Sequence, residues 1–249
     1  DLQRLDVDQR IRRIYGGAMS IRPAAPGQNG TGQEPAALQP AGSLVDRVDV
    51  LVTSSVDPEY DRLLLDRVEK RNIPIVAESL PVGHQATVVS IDNHLAGEDL
   101  GRWAGKYADE HWGGRAFALD LSYSLANTQA RSEGFIAGLK EILPSAQVVL
   151  SINAQSRYET AYQLTLDALT VHPDINVIFA INDATAWGAI NACGDLGREP
   201  ASVLVFPIGL EGNTLKNALM DNKYCKAATA MFPEIVGPVC VEAAIMAYH

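Results

Sequence analysis

The chain has 249 residues, 47% of them hydrophobic and 20% charged, with 30 acidic against 20 basic side chains and a formal net charge of −10. This length suits roughly one or two ordinary domains, and the composition excludes both a disordered chain and a membrane protein. An acidic body excludes nucleic-acid binding through bulk charge, so any such contact must come from a local patch.

One such patch opens the chain. DLQRLDVDQRIRRIYGGAMSIR holds Arg4, Arg10, Arg12, Arg13 and Arg22 against Asp1, Asp6 and Asp8, a net +2 where the rest carries −12. Residues 23–43 (PAAPGQNGTGQEPAALQPAGS) are rich in Pro, Gly, Ala and Gln without an apolar period, which predicts a linker and a domain boundary near Gly42. Strand and helix then alternate. VDVLVTS (48–54) predicts a buried strand, and Asp57 followed by Pro58 starts a helix with Tyr60, Leu64, Leu65 and Val68 on one face. IPIVAES (73–79) and TVVSI (87–91) are the next strands. Asp92 caps a helix whose apolar face is Ala96, Leu100, Trp103 and Tyr107. RAFALDL (115–121) is a strand, followed by a helix with Phe135, Gly138, Leu139 and Ile142 on its face. VVLSI (148–152), a helix from Tyr158, NVIFAI (176–181) and a helix capped by Asp183 come next. VLVFPI (203–208), a helix near 213–221, KAATAM (226–231) and an apolar helix from about Glu234 complete the chain.

Near-continuous apolar strands alternating with helices predict an α/β fold of parallel sheets covered on both faces. Ligands in such folds bind at the carboxyl ends of the strands. The polar residues just past the strands are Glu78 and Ser79, Asp92 and Asn93, Asn127 through Arg131, Asn182 and Asp183, and Glu211. Singly, Asp92, Asn127 and Asp183 read as helix caps; five loops ending polar on one sheet edge read as a binding site. Carboxylates, amides and one guanidinium suit a polyhydroxylated ligand, because each offers planar acceptors or fixed donors. The five histidines show no metal-ligand spacing, and the serines lie in no nucleophile-elbow pattern. The expectation is no catalytic residue, no metal, no cofactor and no enzyme. Cys193, Cys225 and Cys240 are odd in number and set in apolar surroundings, which fits reduced thiols in the cytoplasm. No apolar run reaches membrane-spanning length, so no membrane partner is expected.

Several of these segments resemble one family in order and spacing. AINDATAWGAINACGDLG, ANTQARSEGFIAGLKE, VVSIDNHLAGEDLGRWA, HPDINVIFAIND and VFPIGLEG resemble the periplasmic-binding-protein-like superfamily, over about residues 44–248. That family includes sugar-binding subunits of ABC importers and the ligand domains of lactose-repressor-type transcription factors. The resemblance implies a two-lobed periplasmic-binding-protein-like fold closing on a small ligand, usually a sugar or polyol. It places the domain at 44–249, with a first lobe at about 44–91 and 232–249 and a second at about 92–231. Carried over by position, Arg131 and Asn182 are implied ligand contacts of the second lobe. Glu211 stands where the family usually has Asp, Glu78 where an acid often meets the sugar, and Asp92 at the first hinge crossing. Asn127 and Tyr158 complete the implied set. Met231 stands where sugar binders often have Gln. The family opens its first lobe with two strand–helix units that residues 23–43 are not expected to supply, so the resemblance implies a first lobe incomplete in this chain.

The opening arm resembles the end of a DeoR-type winged helix-turn-helix: DLQRL as the end of the recognition helix and IRRIYGGA as the wing, with Tyr15 for the commoner His. Residues 1–22 are then a remnant of a DNA-binding head whose wing arginines, Arg10, Arg12 and Arg13, suit phosphate or minor-groove contact. The reading that follows is a cytoplasmic, ligand-responsive transcriptional regulator fragment, a homodimer that reaches operator DNA through a full-length head. The alternative is a solute-binding subunit of an ABC-type sugar importer.

Overall fold

The computed structural model describes residue 45 and residues 47–55, 58–83 and 86–249. The wing arginines Arg10, Arg12 and Arg13, the linker at 23–43, the boundary near Gly42, the Asp57 cap and His84 lie outside the described residues. The chain divides into two compact units, one comprising residues up to Ser90 together with Glu234–His249, the other Ile91–Pro233.

In the first unit, strands β1 (Leu51–Ser54), β2 (Ile75–Glu78) and β3 (Thr87–Val89) form a parallel sheet in that order, with Leu51 opposite Ile75 and Val76 opposite Thr87. Helix α1 (Pro58–Glu69) separates β1 from β2, and α7 (Pro233–Tyr248) returns to this unit at the end of the chain. Successive strand residues point to opposite faces. Ile75 and Ala77 therefore join Leu64 and Val68 of α1 in one apolar cluster, while Val50 and Val76 join Cys240 and Ala244 of α7 in another. β1 is half-buried rather than fully buried as its apolar run predicts.

The second unit runs α2 (Asn93–Trp112), β4 (Phe117–Ser122), α3 (Ala126–Ile142), β5 (Gln147–Asn153), α4 (Tyr158–Val171), β6 (Val177–Ala180), α5 (Asp183–Asp195), β7 (Leu204–Gly209), α6 (Asn213–Asp221) and β8 (Thr229–Ala230). Its five strands are parallel, in the order β5-β4-β6-β7-β8. The central strands are apolar on both faces: Val177, Phe179, Leu204 and Phe206 pack towards α2 and α3, and Ile178, Ala180, Val203 and Val205 join the cluster of α4 and α5. The predicted strand at 226–231 is two residues long, because it pairs with β7 only through Thr229–Ile208 and Ala230–Gly209.

Helices α2 and α3 approach closely through glycines. A Cβ at Gly97 or Gly101 would lie 2.1 Å from the carbonyl oxygen of Arg131 or Phe135, and one at Gly134 or Gly138 would lie 2.0 Å from that of His94 or Glu98. This contact corrects the predicted face of α2. Ala96 and Leu100 are buried as expected, but Gly97, Gly101, Ala104 and Ala108 complete the buried stripe, and Trp103 is 38% exposed. Helices this close leave no room for an indole between them, so Trp103 lies at the margin, stacked on Tyr107.

Candidate site at the strand ends of the second unit

A parallel sheet brings the loops after its strands to one edge. Arg131, in α3, reaches that edge from below. It is buried, and its guanidinium has a fixed direction: Nε donates to Asn93 Oδ1 at 2.8 Å and Nη1 to the Ile181 carbonyl at 2.9 Å. One side chain thus ties the start of α2 and the end of β6 to α3. The position of α3 is itself set from the sheet. Asp120 of β4, 3% exposed, accepts hydrogen bonds from Ser132 Oγ at 2.8 Å and Ser151 Oγ at 2.6 Å. Burial raises its pKa above the ordinary carboxylate value, and the two hydroxyl bonds partly oppose that rise.

Asn182 directly follows the Ile181 carbonyl. It is the N-cap of α5, and its Oδ1 accepts from the Thr185 backbone N–H at 3.0 Å while its own N–H donates to Thr185 Oγ1 at 3.3 Å. This reciprocal capping box fixes the amide. Its Nδ2 donates to Ser156 Oγ, from the loop after β5. The predicted cap at Asp183 is therefore corrected by one residue. Asp183 stands in the first turn, with its carboxylate turned to the loop after β7: Oδ1 accepts from Leu210 N at 2.7 Å, and Oδ2 from Glu211 N at 3.1 Å and Gly212 N at 3.2 Å. Glu211, on that loop, is exposed.

Backbone conformation marks the same edge. Among the described residues, Gln155 and Ser156 after β5, Leu210 after β7 and Phe232 after β8 have φ of 55°, 57°, 58° and 48°. Away from this edge, Asn72 and Ser79 of the first unit and Asn222, the C-cap of α6, have φ of 52°, 68° and 54°. Side chains with a Cβ rarely adopt this region, and such strain concentrates at ligand sites.

Arg131, Asn182 and the Glu211 loop are thus brought together, joined by Asn93, Ser156 and Asp183. The other predicted residues make contacts of their own. Asp92 is the N-cap of α2, accepting from Leu95 N at 2.9 Å. Asn127 lies in the first turn of α3, its Oδ1 accepting from Thr128 N at 2.9 Å. Tyr158 is directed away: its hydroxyl accepts from Asn191 Nδ2 at 3.0 Å, and Asn191 is about 13 Å along α5 from Asn182 at the helical rise. Glu78 belongs to the first unit, where its Oε2 accepts from Ser54 Oγ at 2.8 Å. Ser156 was not legible in the sequence, since a serine in a QSR turn has no distinguishing pattern.

The group offers a forked cation, two amides, a hydroxyl and two carboxylates. Planar acceptors and fixed donors of this kind are suited to holding hydroxyl groups. Among the described residues, no group of three or more His, Cys, Asp or Glu is placed to hold a metal ion, and no helix is long and apolar enough to cross a membrane.

A sequence profile described as "Periplasmic binding protein domain" matches residues 19–248. The chain is 27% identical to the ribose import binding protein RbsB of Bacillus subtilis over 201 residues, which are 79% of this chain and 62% of that protein. It is 28% identical to the ribose operon repressor of Halalkalibacterium halodurans over 181 residues, 70% of this chain and 48% of that one. The chain therefore spans less than two thirds of the length of these curated relatives. An ABC transporter solute binding protein from Mycobacterium smegmatis, solved with bound glycerol, superimposes with a TM-score of 0.74 at 25% identity, covering 84% of this chain and 72% of that one.

Proposed function

We propose that this chain, which belongs to the periplasmic binding protein domain family, binds a sugar or polyol through Arg131, Asn182 and Glu211. The observation that carries the reading is the guanidinium of Arg131, buried and aimed by Asn93 and the Ile181 carbonyl beside the capped amide of Asn182. A fork and an amide held this rigidly are ready to meet hydroxyl groups without ordering first. Ribose in the names of the similar proteins supports a pentose as the first ligand to try. Calorimetric titration with D-ribose, D-allose, other monosaccharides and polyols tests this. Binding to wild type that is lost in Arg131→Ala supports the site; equal affinity in the variant rejects it.

We read the whole protein as a cytoplasmic, ligand-responsive regulator that acts on operator DNA as a homodimer. Similarity to a ribose operon repressor and the arginine arm RIRRIYGGA support this. The three cysteines are buried free thiols, with Cys193 and Cys225 pushed up to about 12 by burial, in keeping with a reducing compartment. The second reading, a solute-binding subunit of an importer, is favoured by the longer match to ribose import binding proteins. The coding sequence upstream of Asp1 separates them. A complete helix-turn-helix there supports the regulator, and a secretory leader overturns it. With such a head, sugar would act by differential affinity for two arrangements of the protein.

A further inference from the structure

Helix α5 begins with two neighbouring polar residues that do different work. Asn182 closes the helix end, which leaves the carboxylate of Asp183 without a capping role of its own. That carboxylate instead meets three successive backbone N–H groups, of Leu210, Glu211 and Gly212, at 2.7, 3.1 and 3.2 Å. Successive N–H groups converging on one point form an anion-binding concavity. Here a side chain of the same chain fills it.

The loop does not adopt this shape for free. Leu210 is left-handed at φ 58°, a conformation that disfavours a residue with a Cβ. Gly212 stands at the N-cap of α6 and has no side chain to close that helix. Gly209 admits the carboxylate: its φ is 154°, and a Cβ there would lie 1.8 Å from Asp183 Oδ1. On the other side Met231 N donates to the Gly209 carbonyl at 2.9 Å, so the strand end is fixed and the loop beyond it hangs on Asp183.

We propose that Asp183 is a positioning residue: its carboxylate holds the loop 210–212, and with it Glu211, in register with Asn182. This deepens the sugar-site reading and rests on it for the role of Glu211. The loop geometry itself is independent of any ligand.

The test uses the full chain, with Asp183→Ala and Asp183→Asn, and two readouts. One is hydrogen exchange of the Leu210, Glu211 and Gly212 amides; the other is D-ribose affinity. Losing a charge-assisted acceptor shared by three donors should speed exchange at these amides and weaken ribose binding, each by about tenfold or more in Asp183→Ala. Asp183→Asn keeps one acceptor oxygen and should fall between. Added formate, an anion that fits the emptied concavity, should restore both in Asp183→Ala, which general destabilisation would not allow. Amides as protected in Asp183→Ala as in wild type overturn the proposal. So do loosened amides with unchanged ribose affinity. If wild type binds no sugar yet formate re-protects the loosened amides, the sugar reading fails and the clamp stands. Should Asp183→Ala fail to fold, the same readouts on Asp183→Asn decide.

Discussion

Gly134→Ala sets two effects of opposite sign against each other. Alanine is the better helix former by about 1 kcal/mol in a helix interior, so propensity alone predicts a more stable protein. Packing predicts the reverse. The new Cβ would stand 2.0 Å from the His94 carbonyl oxygen, 2.9 Å from its carbon and 3.0 Å from Glu98 N, all of them backbone atoms that cannot rotate away. An ordinary Cβ···O contact of roughly 3.3 Å requires α2 and α3 to part by roughly 1.3 Å, and overpacking of this kind costs about 3 kcal/mol or more. The net expectation is a loss of about 2 kcal/mol, or a fall in Tm of about 4–8 °C for a protein of this size. Parting the helices would also lengthen the 2.8 Å bond from Arg131 to Asn93, so sugar affinity should fall with stability. All three tryptophans, Trp103, Trp112 and Trp187, lie in the second unit, so urea unfolding followed by tryptophan fluorescence reports this unit by itself. The control is Gly194→Ala in α5, where a Cβ meets nothing within 4 Å; it should gain about 0.5 kcal/mol. A Gly134→Ala protein as stable as wild type would refute the packing argument.

Asn182→Asp and Asn182→Ala separate capping from ligand contact. Aspartate keeps the cap and the stability but cannot donate to Ser156, and should bind sugar weakly, whereas alanine should in addition lose about 1 kcal/mol on denaturation. Arg131→Lys puts a point charge where two acceptors are fixed at separate atoms; calorimetry should show affinity weakened about tenfold or more, and wild-type affinity would show that the fork is unused. Asp120 gives a pH signature. Its folded pKa is raised, so the native state holds a proton that the unfolded chain has released, and stability falls as pH rises from about 3.9, the unfolded value, through the folded pKa. Asp120→Asn should remove that fall, so its stability relative to wild type is better at pH 7 than near pH 4; parallel curves would refute the assignment.

The central strands of the second unit were legible because β6 and β7 are apolar at every position, a pattern that fits a strand covered on both faces and little else. The face of α2 was not, because Gly97 and Gly101 count as neutral in an apolar period although their smallness is what brings the helices together. For the candidate site, motif and position singled out Arg131 and Asn182, and the structure places them beside each other. The division of labour between Asn182 and Asp183 was not legible: both are good caps, and the choice depends on a loop that arrives 27 residues later. The direction of the Tyr158 ring was not legible for a similar reason. Its position at the start of α4 suggests the binding edge, but its ring runs along α5 to Asn191. Ser156 depends on a left-handed turn that nothing in its neighbours' identities requires.

That left-handed serine carries a warning for anyone improving this protein. Glycine at position 156 would relieve the backbone, and substitutions of this sort are among the easiest stability gains to find, on the order of 1 kcal/mol. It would also delete the hydroxyl that meets the Asn182 amide. A library selected on heat tolerance alone would drift towards glycine there, and its survivors would be hardier proteins with a less discriminating grip.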